Sequence, residues 1–476
     1  MSIQSVLPLR YELLGRLPVE VEPVEEHVTS DAGLLPLRDL DERLGWTAGF
    51  AAQLQDARQG GQHALVEMVR QRVFGIIAGY EDQNDHDTLR HDGLFKILAG
   101  RRPDDRDLAS QPTLSRMENA VSAGDLLRLE SGFIDRFVES FEEDPRELTL
   151  DIDLFDDPTH GNQQLTFFHG YYSQHQYFAR VITCAQNDLV VMPTLLFGTA
   201  GANLGLDEDL ELVVMRLRQR FPDVRIHVRV DSGFSSPTFY ALCERLRLEY
   251  TAGIGMNEVL KRDSESTLST AIKAWEETSQ PQRHFLGKEY QAGSWDAPRW
   301  VVIKCESHAA GTNRRAVVTN RPGARVVPQG AYDEYANRGE SENRNKELKC
   351  ELSAGRLSDH RYMANAFRLM MHTLAANLLV RLRQLVALPP EPPRVEPDVP
   401  PEARPLPQKR RHWSRRRQED PLGEGHACTW RTLVIKVAAR VTVTTRRIRV
   451  QLSSSWPHWR YYLAVSLAVA AYCSTG

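Results

Sequence analysis

The run Leu148-Thr149-Leu150-Asp151-Ile152-Asp153-Leu154 decides the fold class. Its apolar residues fall on every second position, the period of a β-strand, and its polar residues share the opposite face. Two carboxylates, Asp151 and Asp153, therefore project together from an otherwise apolar strand. Strand patterns continue at 166–172, 178–185 and 189–196. A helix follows over 207–220, acidic at its start and rich in arginine at its end, as the helix dipole favours. Val224, Ile226, Val228 and Val230 mark the next strand, which Asp231-Ser232-Gly233 ends. A helix over 238–246 and a strand over 249–254 come after it. Opening strands followed by alternating helices and strands predict an α/β fold, a mixed sheet covered by helices.

Upstream, residues 1–145 read as mostly helical, with helical spacing over 65–77 and over 88–99, which Gly100 closes. Within them, Leu108 to Arg116 supplies turn residues and then a polar helix start. A helix-turn-helix would present Thr113, Ser115 and Arg116 to a DNA groove from there, although a capped surface helix has the same pattern. Downstream, 256–330 breaks the rhythm with one helix (267–275) and short β-like runs at 299–305 and 315–319, an inserted β-rich module. Helical character returns over 331–388. Nine of the nineteen residues from 389 to 407 are proline, the composition of a semi-rigid linker. The region 408–476 follows, with strand patterns at 433–437 and 441–452.

The 476 residues give room for roughly two to four domains. Hydrophobic residues at 41% and charged residues at 26% are the balance of a soluble globular chain, which excludes disordered and fibrous classes. The longest apolar run, 461–473, is shorter than the ~20 residues that span a bilayer, so no membrane is expected. The first residues lack the basic flank and apolar core of a secretory signal. Six scattered cysteines without a CxxC pair argue against a zinc ribbon and for a reducing compartment, the cytoplasm. The net charge of −4 hides an uneven distribution. Residues 401–450 hold 13 Lys/Arg against 4 Asp/Glu, a net of +9 that leaves −13 for the remainder. Arg410, Arg411, Arg415, Arg416 and Arg417 surround Trp413, a pattern suited to phosphate contact with a stacking residue. The opposite extreme is 139–157, where nine acids crowd together at a cost that cations or basic side chains must offset.

Two further features join Asp151 and Asp153. Asp231 stands at the carboxyl end of its strand, the sheet edge where open α/β sheets bind ligands. The helix expected over 332–350 reads YDEYANRGESENRNKELKC. At about 100° per residue, Tyr335, Arg338, Glu342 and Lys349 share an arc of about 60°, with Glu340 and Glu347 on the far side. Two strand carboxylates and one helix carboxylate suit two hard divalent cations, Mg²⁺ or Mn²⁺. Such a pair serves in-line displacement at phosphorus. Arg338 and Lys349 would then grip phosphate, and Tyr335 would stack on a base or donate to a phosphate oxygen.

The spacing Tyr335, two residues, Arg338, three residues, Glu342, six residues, Lys349 resembles the Tyr-Arg-Glu-Lys signature of DDE insertion-sequence transposases. The stretches LDIDLFDDPTHGNQ, RVDSGF, GYEDQNDHDTLRHD, ASQPTLSRMENAV and VIKVAARV resemble the thirteen-eighty subgroup, relatives of the IS-four group. The resemblance implies an RNase H-like catalytic core, here 146–255 and 331–388, interrupted by the β-rich insertion, with a helical DNA-binding region at 1–145. It implies two-metal hydrolysis at terminal inverted repeats, strand transfer into target DNA and a homodimer on DNA associated with the nucleoid. Carried over, the catalytic and metal-binding triad is Asp153, Asp231 and Glu342, with Asp151 the alternative first acid. Leu154 and Phe155 depart from the small polar residue that the family tends to place after that acid. DNA contact falls to Tyr335, Arg338, Lys349, Arg415, Arg416 and Arg417. Trp275, Trp295 and Trp300 are counterparts of the tryptophan with which relatives hold a flipped base, although each also reads as core. A DNA-binding regulator and a nuclease that cuts without joining are the alternatives.

Overall fold

The computed structural model describes residues 9–14, 17–56, 58, 61–388 and 418–472. Among the described residues a hairpin of β1 (Leu9–Leu14) and β2 (Leu17–Val21) and a short strand β3 (His27–Thr29) come ahead of the expected helices. The helix Leu65–Ala78 ends at Gly79 in the left-handed conformation. Over 88–99 the structure has two short helices, His86–Leu89 and Gly93–Ala99, because Asp92 caps a new start through Leu94 N and Phe95 N.

The decisive run lies in β4 (Glu147–Pro158), the hub of a nine-stranded sheet. Beside it run β5 (Phe167–His169), β6 (Gln174–Cys184) and β7 (Val190–Phe197), antiparallel in sequence. On the other flank of β4 lie β8 (Arg225–Val230) and β9 (Glu249–Ile254), both parallel to it. The helices Leu206–Arg220 and Pro237–Arg245 make the crossovers into these parallel strands. This mixed sheet flanked by helices is compatible with an RNase H-like core.

The β-rich stretch expected as an inserted module extends the same sheet. Its strands β10 (Gln282–Tyr290), β11 (Arg299–His308) and β12 (Gly311–Thr319) form an antiparallel meander. Strand β12 then pairs with β9, Ala316 opposite Ile254 and Thr319 opposite Thr251.

Both faces of β4 are buried. Leu148, Leu150 and Ile152 pack with Leu210, Val213 and Leu217 of the crossover helix and with Ile226, Val228 and Val230 of β8. Phe155, on the other face, packs with Leu348, Leu357 and Leu369. The same large core takes in Phe74 and Ile77 of the N-terminal helices and Phe367, Met371 and Leu378 of the long helix Tyr362–Val386. The helical N-terminal region thus shares its core with the sheet.

After residue 418 the structure departs from the strand pattern at 433–437. Arg431–Ile435 is a helical turn continuing Ala427–Trp430, and Trp430 is wholly buried. The pattern at 441–452 resolves into a hairpin, β13 (Ala439–Val443) and β14 (Ile448–Leu452), and β13 also pairs with β3. The helix Trp459–Tyr472 follows. Among the described residues no helix is long and apolar enough to cross a membrane.

Candidate active site

Strand register sets the first two acids side by side. Asp151 is opposite Arg229 and Ile152 opposite Val230, so Asp153 and Asp231 come next on adjacent parallel strands about 4.8 Å apart. Asp231 Oδ1 accepts from the Gly233 amide at 2.8 Å, in the turn that ends β8. Burial raises the Asp153 carboxyl above its ordinary pKa; Arg338 opposes this and the charge of Asp231 adds to it.

Asp151 and Asp153 share a strand face, yet their surroundings differ. Asp151 is buried, and both its oxygens accept from Arg229 at 2.7 Å. Arg229 also donates to the Glu334 carbonyl at 2.6 Å, holding the last turn of the helix Pro328–Ala336. Asp153 keeps some exposure and faces the helical segment that follows directly. Asp153 Oδ2 accepts from Asn345 Nδ2 at 2.9 Å and lies 3.3 Å from Arg338 Nη1.

The single helix expected over 332–350 is instead Pro328–Ala336 and Arg338–Lys346, joined at Asn337 and continued by a wide π-turn over Glu347–Glu351. The signature residues nonetheless reach the acids. Arg338 Nη2 donates to Glu342 Oε1 at 2.7 Å, so one guanidinium spans Asp153 and Glu342. Burial works against the Arg338 charge, but Asp153, Tyr335, Glu342 and Asp231 outweigh it and raise its pKa. Tyr335 stands over β9 where Gly253 makes room for it; a Cβ on Gly253 would lie 2.6 Å from the phenol oxygen. Burial raises the phenol pKa, and the charges of Asp231 and Glu342 push it the same way. Lys349 Nζ binds Asp156 Oδ1 at 2.6 Å. Arg415, Arg416 and Arg417 lie outside the described residues.

Most of the crowded acids of 139–157 are offset by basic side chains. Arg220 pairs with Asp144, Arg225 and Arg321 with Glu147, Arg229 with Asp151, Arg338 with Asp153 and Lys349 with Asp156. Among the described residues no three acidic, imidazole or thiol side chains stand close enough to hold a metal ion as arranged. The donors around Arg338 still fit a hard cation in kind. They are carboxylate oxygens, joined by Asn345 Oδ1, which is buried with no hydrogen-bond partner.

Asn345 and Asp156 escaped the reading of the sequence. Asn345 had a signal, since it projects within about 20° of Arg338 on an ideal helix; Asp156 had none beyond its place in the acidic run. Trp295 packs edge-on against Tyr240 and Tyr290, and Trp300 donates to the Ala324 carbonyl at 3.1 Å beneath Arg325. The helix Gln111–Asn119 buries Leu114, Met117 and Glu118, and Glu118 is held between Arg72 and Arg368.

Comparison with curated proteins gives no match. The family model described as transposase DDE domain, group 1, matches residues 12–393, a span that takes in β4, β8 and both helices bearing the signature. The chain belongs to this family of DDE transposases.

Proposed function

We propose that the protein is the DNA transposase of an insertion sequence, which binds terminal inverted repeats, cuts at the element ends and joins them to target DNA. The observation that carries this reading is that Asp153 and Asp231 follow paired positions on neighbouring parallel strands, and that Arg338, paired with Asp153, also holds Glu342. Asp153, Asp231 and Glu342 would hold Mg²⁺ or Mn²⁺. Asp153 is the first acid, because Asp151 is committed to Arg229. When bound, the ions supply the charge that activates the attacking oxygen and stabilises the leaving one.

The chain's own residues do the rest. Asn345 orients the Asp153 carboxylate, Tyr335 seats against Gly253 beside Asp231, and Arg338 is released from the acids to grip phosphate. Lys349 positions the strand bearing Asp156 and offers charge to the DNA backbone, as would Arg415, Arg416 and Arg417. The region 1–145 contributes to DNA recognition, and two copies act on two ends.

Incubation with an element end and Mg²⁺ is expected to yield a free 3′-OH. Asp231→Ala should abolish that cut, a loss of more than a thousandfold, while a gel shift still shows binding. Asp153→Asn should behave the same way. Asp151→Ala should instead cost about 3–5 kcal/mol of stability by stranding the buried Arg229. Cleavage by Asp231→Ala at the wild-type rate overturns the site. Binding without cleavage by the wild-type protein, in either metal, points to a regulator on the same fold.

A further inference from the structure

The hairpin joining β5 to β6 exposes aromatic rings that nothing in the acid centre uses. Its turn is Gly170-Tyr171-Tyr172-Ser173, and Ser173 is held at a φ of 53°, the left-handed region that a side chain rarely adopts. Tyr171 is 86% exposed, and Phe168 and Tyr172 are exposed as well. The rings form a connected layer. Tyr171 and Tyr172 meet edge to face at 5.0 Å between centroids, and Tyr172 rests on His169 and Phe178 at 5.2 and 5.9 Å. Rings held by other rings at this exposure lose little freedom when something stacks on them.

The layer is continuous with the proposed site. Gln174, the first residue after the turn, donates to Asp156 Oδ2 at 3.3 Å, and Asp156 is the partner of Lys349. The Tyr172 phenol is raised in pKa, first by burial and then by the charges of Asp156, Tyr171 and Asp231. Carboxylates beside the rings repel phosphate, so the ligand portion that suits the rings is flat, apolar and uncharged. A nucleobase has that character, and base-on-aromatic stacking tolerates any sequence.

We propose that the 167–173 hairpin is a stacking platform for unpaired bases of the DNA strand that enters the acid centre. This rests on the reading of that centre as a DNA-cutting site. The platform would favour DNA ends whose bases are free over fully paired ends, with Tyr171 the outermost ring.

The test uses the full chain and two fluorescent probes of one sequence, a blunt duplex and the same duplex with a short unpaired 3′ tail carrying 2-aminopurine. The wild-type protein is expected to bind the tailed probe more tightly and to quench its fluorescence. Tyr171→Ala should weaken binding of the tailed probe about tenfold, with little change for the blunt one, and abolish the quench. Tyr171→Trp should restore both. Tyr171→Leu, which keeps the apolar surface without an aromatic face, should fail like Ala. Equal behaviour of Tyr171→Ala and wild type on both probes overturns the platform and leaves the Asp231→Ala cleavage result standing. So does restoration by Tyr171→Leu, or a change in light-scattering mass of Tyr171→Ala without loss of quench, which would mark a contact between copies of the chain.

Discussion

Asp157 lies four residues beyond Asp153 on β4, and its carboxyl sits in a different setting from that of the acids beside it. It is fully buried; Oδ1 accepts from Leu357 N at 3.4 Å, and Oδ2 has no partner among the described residues. Burial pushes its pKa up to about 8, against the smaller opposing pulls of the Leu357 amide and Lys349. The folded-state value exceeds the ordinary one, so the folded protein binds the extra proton. The stability this contributes is complete below about pH 4 and is lost as pH rises through about 8. Asp157→Asn carries the neutral form permanently. Melts from pH 5 to 8 should therefore show the wild type losing up to about 1.4 kcal/mol per pH unit relative to the variant. Parallel curves for the two proteins would show that the carboxyl is ionised in the fold. The same residue-scale logic separates Asp151 from Asp153. Alternation placed both on one face, but which of the two an arginine would occupy depends on Arg229 in another strand.

At the scale of elements, the site depends on how closely the helical segment approaches the sheet. Gly253 of β9 is one point of close approach, since a Cβ there would lie 2.6 Å from the Tyr335 phenol oxygen. Gly253→Ala is expected to cost about 1–3 kcal/mol through this overlap and to slow end cleavage by displacing Tyr335. Tyr335→Phe, which removes the clashing oxygen, should recover most of the stability in the double variant, as a double-mutant cycle would reveal. Additive costs would place the strain elsewhere. The elements around this contact were readable in advance where a local period decides them. Strand β4, the helix Leu206–Arg220 and strand β9 follow from spacing alone. The break at Asn337 and the π-turn at Glu347 do not, because packing against β4 and the chain after residue 418 imposes them. Likewise the antiparallel partner of β9 came from a distant segment, β12, and no local pattern names a partner. The helical turn at Arg431–Ile435 reads as a strand because a buried helical turn and a buried strand are equally apolar over five residues.

For the molecule as a whole, the part of the chain beyond the proline-rich stretch completes the structure that carries Glu342. Ala427 N donates to Glu347 Oε1 at 2.7 Å and Cys428 N to Glu351 Oε2 at 2.8 Å. Arg431 donates to the carbonyls of Ile76, Ile77 and Glu351, tying the N-terminal helices to the same place. Glu347 is also held by Arg383 and Arg344, which keep its pKa low in spite of burial. Trp430→Ala, which empties a fully buried site in this seal, should cost about 3–5 kcal/mol in urea unfolding and reduce cleavage although it touches none of the acids. Unchanged cleavage with the stability cost intact would uncouple the seal from the helix that carries Glu342. The amide that satisfies Glu347 arrives 80 residues later in the chain. A growing chain emerging from the ribosome therefore holds Asp153, Asp231 and Glu342 before the amides of Ala427 and Cys428 can close the turn that follows the helix bearing Glu342. On the proposed reading, competence to cut DNA arises only once translation has passed residue 435.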